Sequence, residues 1–177
     1  MNTLNATKLI AACALICSSK ASFSHVVLQE RSATALSSYK AVFQVGHGCD
    51  GSSTNIIRVA LPAGLQGAKP MPKPGWNLAS KLGKLAVPYD NGHGGMVTEA
   101  VTEVSWTAVA KDNFLADAHY DEFVLRARLP KETGPLWFRV YQGCEKGNTD
   151  WAEIPASGVS TKGLKTPAAL LEVLPAK

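Results

Sequence analysis

Short runs of β-branched and aromatic residues, broken at intervals by glycine, proline, asparagine and aspartate, set the character of this chain. Residues 25–30 (HVVLQE), 39–45 (YKAVFQV), 55–61 (NIIRVAL) and 97–109 (VTEAVTEVSWTAV) read as strands, the last by its polar/apolar alternation. Residues 122–129 (EFVLRARL) place Phe123, Leu125, Ala127 and Leu129 on one face. Residues 136–141 (LWFRVY) and 150–154 (DWAEI) complete the set. Turn-forming clusters at 46–53, 67–75, 89–95, 130–135 and 143–150 separate these runs, so the pattern predicts an all-β sandwich or barrel. Trp106 and Trp137, inside apolar runs, are expected in the core. Helical signal is thin. Residues 114–119 could make one turn, and residues 166–172 could make a short helix between Pro167 and Pro175. Beyond residue 157 there is little strand pattern, so 158–177 is expected to be a loosely attached tail.

The first residues differ from the rest. Lys8 precedes a nine-residue apolar run (LIAACALIC, 9–17), and Ser22 and Ser24 stand at −3 and −1 of a cut before His25. This is the layout of a secretory signal peptide, too short to span a bilayer as a helix. The expectation is a cleaved segment 1–24, export to the bacterial periplasm, and a domain over 25–157 with no membrane span. Ile10-Ala11-Ala12-Cys13 also has the form of a lipid-attachment box, which would make Cys13 the new N-terminus. The formal net charge is +4; Lys8 and Lys20 leave with the signal, so the mature chain keeps +2. A nearly neutral chain without a basic block does not point to nucleic acid or an anionic membrane. Cys49 and Cys144 remain in the mature part. In an oxidising compartment they are most simply one disulfide; a soft metal site using both thiols is the rival.

A histidine at the start of a mature chain has its own chemistry. Its α-amine and imidazole Nδ1 can close a six-membered chelate on one metal ion, and an amine of pKa near 8 yields its proton readily to a metal. Two such nitrogens in a plane suit tetragonal Cu(II). For a further ligand, Glu99, Glu122 and Asp150 are carboxylate candidates near strands, Glu99 standing out after the turn at 93–95. His47, His93 and His119 are nitrogen candidates, and a second histidine would move the site toward a full histidine brace. A tryptophan beside copper excludes water and supports the bound geometry. No Gly-x-Ser-x-Gly, His-Glu-x-x-His or phosphate-binding glycine loop is present.

Several segments spread along the mature chain carry a family likeness. They are His25-Val26-Val27-Leu28 after the signal, Ser38-Tyr39, Val45-Gly46-His47-Gly48-Cys49-Asp50-Gly51-Ser52 and Leu61-Pro62-Ala63-Gly64. With them come Lys69-Pro70-Met71-Pro72-Lys73-Pro74-Gly75-Trp76, Val97-Thr98-Glu99-Ala100-Val101 and Tyr120-Asp121-Glu122-Phe123. The last are Gln142-Gly143-Cys144-Glu145-Lys146-Gly147 and Trp151-Ala152-Glu153-Ile154-Pro155. Together they resemble the YcnI-like copper-binding domain family of bacterial exported proteins. The resemblance implies an immunoglobulin-like β-sandwich, Cu(II) held by the N-terminal histidine alone (a monohistidine brace), and a role in copper handling. By matching motif, His25 takes the primary ligand role and Trp151 that of the tryptophan near the metal; the family varies around the Glu99 segment, and Cys49 and Cys144 match the subset with a structural disulfide. The expected function is non-enzymatic: a periplasmic protein that buffers Cu(II) or passes it to another periplasmic or membrane copper-handling protein. The alternatives are an interaction module in which His25 is incidental, and a copper monooxygenase, which would need a second histidine.

Overall fold

A computed structural model describes residues 25–176; the expected signal segment 1–24 and the Cys13 box lie outside them. The described strands are β1 (Val27–Leu28), β2 (Ser32–Thr34), β3 (Ser38–Val45), β4 (Thr54–Ala60), β5 (Gln66–Pro70) and β6 (Trp76–Asp90). They continue with β7 (Met96–Ala108), β8 (Asp121–Arg128), β9 (Gly134–Cys144), β10 (Asn148–Trp151) and β11 (Ala169–Leu174). One sheet runs β1-β3-β8-β5. The other runs β2-β11-β9-β4-β7-β6, with β10 also paired to β9. The all-β expectation holds.

Alternation decides what lies between the sheets. Tyr39, Ala41, Phe43 and Val45 of β3 and Phe123, Leu125 and Ala127 of β8 face Ile57, Val59, Val104, Trp106, Phe138 and Val140 of the opposite sheet. Edge-to-face rings stitch the layers: Phe43 on Phe138 at 5.4 Å, and Trp76 and Trp106 on Phe123 at 5.0 and 5.6 Å. The Pro74-Gly75 step closes the turn before β6, Gly75 at φ 77° and Trp76 N–H donating to the Lys73 carbonyl. That turn drives Trp76 into the core. Trp137, expected inside, is only half-buried, because its neighbour Phe138 takes the inward position of the alternation. The helical turn expected at 114–119 is corrected in kind: the His119 N–H closes a single turn on the Ala116 carbonyl without helix, and the 3-10 turn lies just before it at Lys111–Asn113.

The tail expected at 158–177 is not loose, and its expected helix is a strand. β11 lies between β2, which it pairs in parallel, and β9, which it pairs antiparallel. Ala169, Leu171 and Val173 face inward and are buried. The run Ala-Leu-Leu-Glu-Val-Leu carries a two-residue period that Pro167 and Pro175 had made to look like a bracketed helix.

β9 also changes neighbours along its length. Residues 134–138 pair with β11 and residues 140–143 with β10 on the same edge, while β4 holds the other edge. The Cys49–Cys144 disulfide forms, with Cα atoms 6.0 Å apart across a separation of 95 residues. Closing so long a loop restricts the unfolded chain by about 4–5 kcal/mol in the chain-entropy model.

Leu171→Ala is expected to lower unfolding stability by about 2–5 kcal/mol, measured by denaturant titration. An unchanged midpoint would mean the C-terminal strand does not belong to the core.

Candidate functional site

His25, His47 and Trp151 meet at one end of the sandwich. The β1–β3 register, Val27 opposite Gln44, carries the chain start toward Gly46 and His47 as β3 ends. β10 delivers Trp151 there through its pairing with Val140. The His25 ring stands edge-on to the Trp151 ring at 5.5 Å and 85°, and the His47 ring at 6.2 Å and 77°. Trp151 is 5% exposed and His25 Nε2 is buried. A 230 Å³ groove runs past His25 between β1 and the segment ahead of β11, with Thr161 and Ala168 in its wall.

The loop bearing His47 is fixed by chemistry readable in its residues. Cys49 and Ser52 exchange backbone hydrogen bonds of 3.0 and 2.9 Å around Asp50 and Gly51, both at positive φ (47° and 82°). That is the Asp-Gly turn that closes a two-residue hairpin. Gly48 has no room for a side chain, since a Cβ there would sit 1.8 Å from the Ser52 carbonyl oxygen. The Gly48 N–H donates to Asp117 Oδ1 at 2.9 Å, and His47 Nδ1 donates to the Gly48 carbonyl.

Beneath the three rings lies Gln142, 0% exposed. Its Oε1 accepts from Trp151 Nε1 at 2.9 Å; its Nε2 donates to the His47 carbonyl and to Thr54 Oγ1, each at 2.7 Å. Sequence reasoning missed Gln142 as a working residue. The available signal was its place in the inward series Phe138, Val140, Gln142: an amide where alternation demands an apolar side chain needs buried partners.

The other candidates scatter. Glu99 is exposed and pairs across the β6–β7 ribbon with Lys84. It lies three strands across the sheet from Trp151 and five residues past Val104, on the order of 20 Å away by strand spacing and rise. The structure therefore does not bring Glu99 to His25. Asp150 is exposed opposite Tyr141. Glu122 accepts the hydroxyl of Tyr120, whose pKa desolvation and then this bond push up to about 12. His93 sits in the exposed β6–β7 turn and His119 is exposed ahead of β8. Among the described residues no three His, Cys, Asp or Glu side chains converge on a metal position. The Lys73-Pro74-Gly75-Trp76 segment packs as scaffold, Lys73 Nζ meeting Asp121 at 2.6 Å over the Phe123 ring.

A family model described as domain of unknown function (DUF1775) matches residues 25–173. Among solved structures, an uncharacterized protein from Nocardia farcinica with an immunoglobulin-like fold is similar at 23% identity and a TM-score of 0.64, covering 84% of this chain and 97% of its own. That likeness, with the sheet order above, makes the fold an immunoglobulin-like sandwich. No curated protein matches the chain.

Gln142→Leu strands the Trp151 indole N–H and the His47 carbonyl without their buried partner. It should cost at least about 2 kcal/mol of unfolding free energy by denaturant titration. In the variant's proton NMR spectrum the His25 and His47 ring signals should move, as both rings lose their fixed pose against Trp151. Unmoved signals would show that the amide does not hold the site.

Proposed function

The chain belongs to the DUF1775 family, and from that premise we propose that it is a periplasmic Cu(II)-binding protein, holding the ion through the His25 amine and imidazole after cleavage before His25. The observation that carries this reading is the His25 ring packed edge-on against the buried Trp151 indole, its Nε2 turned inside. The chelate needs the other ring nitrogen, Nδ1, together with the backbone nitrogen of the same residue. The nitrogen that is buried is therefore not one of the two that the chelate uses. The indole contributes no donor atom toward a metal, since its N–H is spent on Gln142. It shields one side of the chelate from water instead.

This donor set suits Cu(II) more than harder ions. Two nitrogens closing a six-membered chelate favour the metal at the top of the divalent affinity order, whereas an oxygen-rich cage would favour magnesium or calcium. Glu99 takes no part in the proposed ligand set because of its distance. The resemblance to YcnI-like copper proteins points to the same residue and the same metal. Buffering or delivery follows from a site at the domain's end, where an ion can be loaded and passed on without opening the core; no turnover is assigned to it. A periplasmic or membrane copper-handling protein is the partner this reading requires.

Cu(II) titration of the processed protein, beside a copy carrying one extra residue ahead of His25, tests the proposal. The added residue should weaken binding by more than the roughly 10–100-fold that outer partners of a ligand are worth, and electron paramagnetic resonance should lose the amine nitrogen. Equal binding by the two copies would refute the chelate and leave the domain as an interaction module.

A further inference from the structure

We infer that His47 supplies a third nitrogen, its Nε2, to the ion chelated by His25, so that the centre is an amine and two imidazoles rather than a single-histidine site. The inference rests on the copper reading above and deepens it.

The first observation is convergence. The His25 and His47 rings both stand edge-on to the same indole, at 5.5 and 6.2 Å. They reach it from the paired ends of β1 and β3. The second is proton placement. A carbonyl oxygen can only accept, so the contact between His47 Nδ1 and the Gly48 carbonyl places the ring proton on Nδ1. In the neutral ring Nε2 then carries the lone pair. A histidine whose far nitrogen donates to a backbone carbonyl is in the form that metal-binding imidazoles adopt, with tautomer and ring orientation set by that bond.

The third observation is rigidity. The His47 carbonyl is held by Gln142, the next N–H by Asp117, and the loop is closed two residues on by the Cys49–Cys144 bridge. The same Gln142 amide holds Trp151. The indole and the His47 backbone are therefore set relative to each other by one side chain. The fourth is the poor field of competitors. Glu99 and His93 lie on exposed strand or turn positions elsewhere, Asp150 is exposed on β10, and Glu122 is engaged by Tyr120.

A second imidazole changes what the site can hold. Water and carboxylate oxygens are hard donors that suit Cu(I) poorly, while imidazole binds copper well. With His47 as ligand, the ion keeps three nitrogen donors and depends less on oxygen.

The test uses the processed protein with Cu(II) alone. Pulsed electron paramagnetic resonance of the wild type should report two imidazoles, read from their remote nitrogens. His47→Ala should report one, and competition titration should show affinity reduced roughly tenfold or more. The variant keeps the His47 backbone carbonyl that Gln142 binds, so its metal-free melting temperature should stay near wild type. His93→Ala should match the wild type throughout. One imidazole in the wild type, or unchanged binding by His47→Ala, overturns the role of His47 while leaving the His25 chelate standing. If the copy with an extra residue ahead of His25 binds like the wild type, the chelate itself fails, which is a separate outcome.

Discussion

An amide sealed from water inside one end of a β-sandwich must find its partners inside the protein, because each unmet polar group costs about 1–3 kcal/mol. Gln142 meets that demand at both ends, through Trp151 on one side and the His47 carbonyl and Thr54 hydroxyl on the other. Those partners come from β10, from the loop after β3 and from β4. The loop after β3 belongs to one sheet and the two strands to the other. One side chain thus fixes the indole and the His47 loop relative to each other, and the disulfide repeats the tie covalently a few atoms away. Whatever the rings at this end bind, their placement descends from this buried polar hub.

Much of the sandwich was legible because its central strands bury one face and expose the other. β3, β4, β7, β8 and β9 each carried that signature and fell close to their expected ranges. The edge strands hid for physical reasons. β6 is mostly exposed, holds Lys81 and Lys84, and meets Pro88 where its register with β7 slips, all common at a sheet edge. β5 is short, with Gly67 and Pro70 inside it. β11 was misread because its two prolines drew attention from a plain alternation.

The site was legible in kind more than in detail. His25 and Trp151 emerge from family likeness, and they do lie together. Glu99 was attractive for its position after a turn, but a turn at the far end of a long ribbon is remote from the sandwich end. Sequence distance carries no information about which end of a sheet a residue reaches; only register does. His47 stood among equals in the sequence, and it takes a fixed loop and a shared indole to separate it from His93 and His119. The framework beneath the rings, Gln142, Thr54 and Trp151, is uncharged.

The docking of β11 has a consequence for the order in which the molecule is completed. Its sheet is closed by residues near the end of the matched region, slotted between β2 and β9, and Ala168 and Ala169 form part of the groove wall beside His25. A chain that emerges amino end first presents His25 long before that wall exists. The groove beside His25 is thus completed only when β11, the last of the described strands in chain order, has been threaded between β2 and β9.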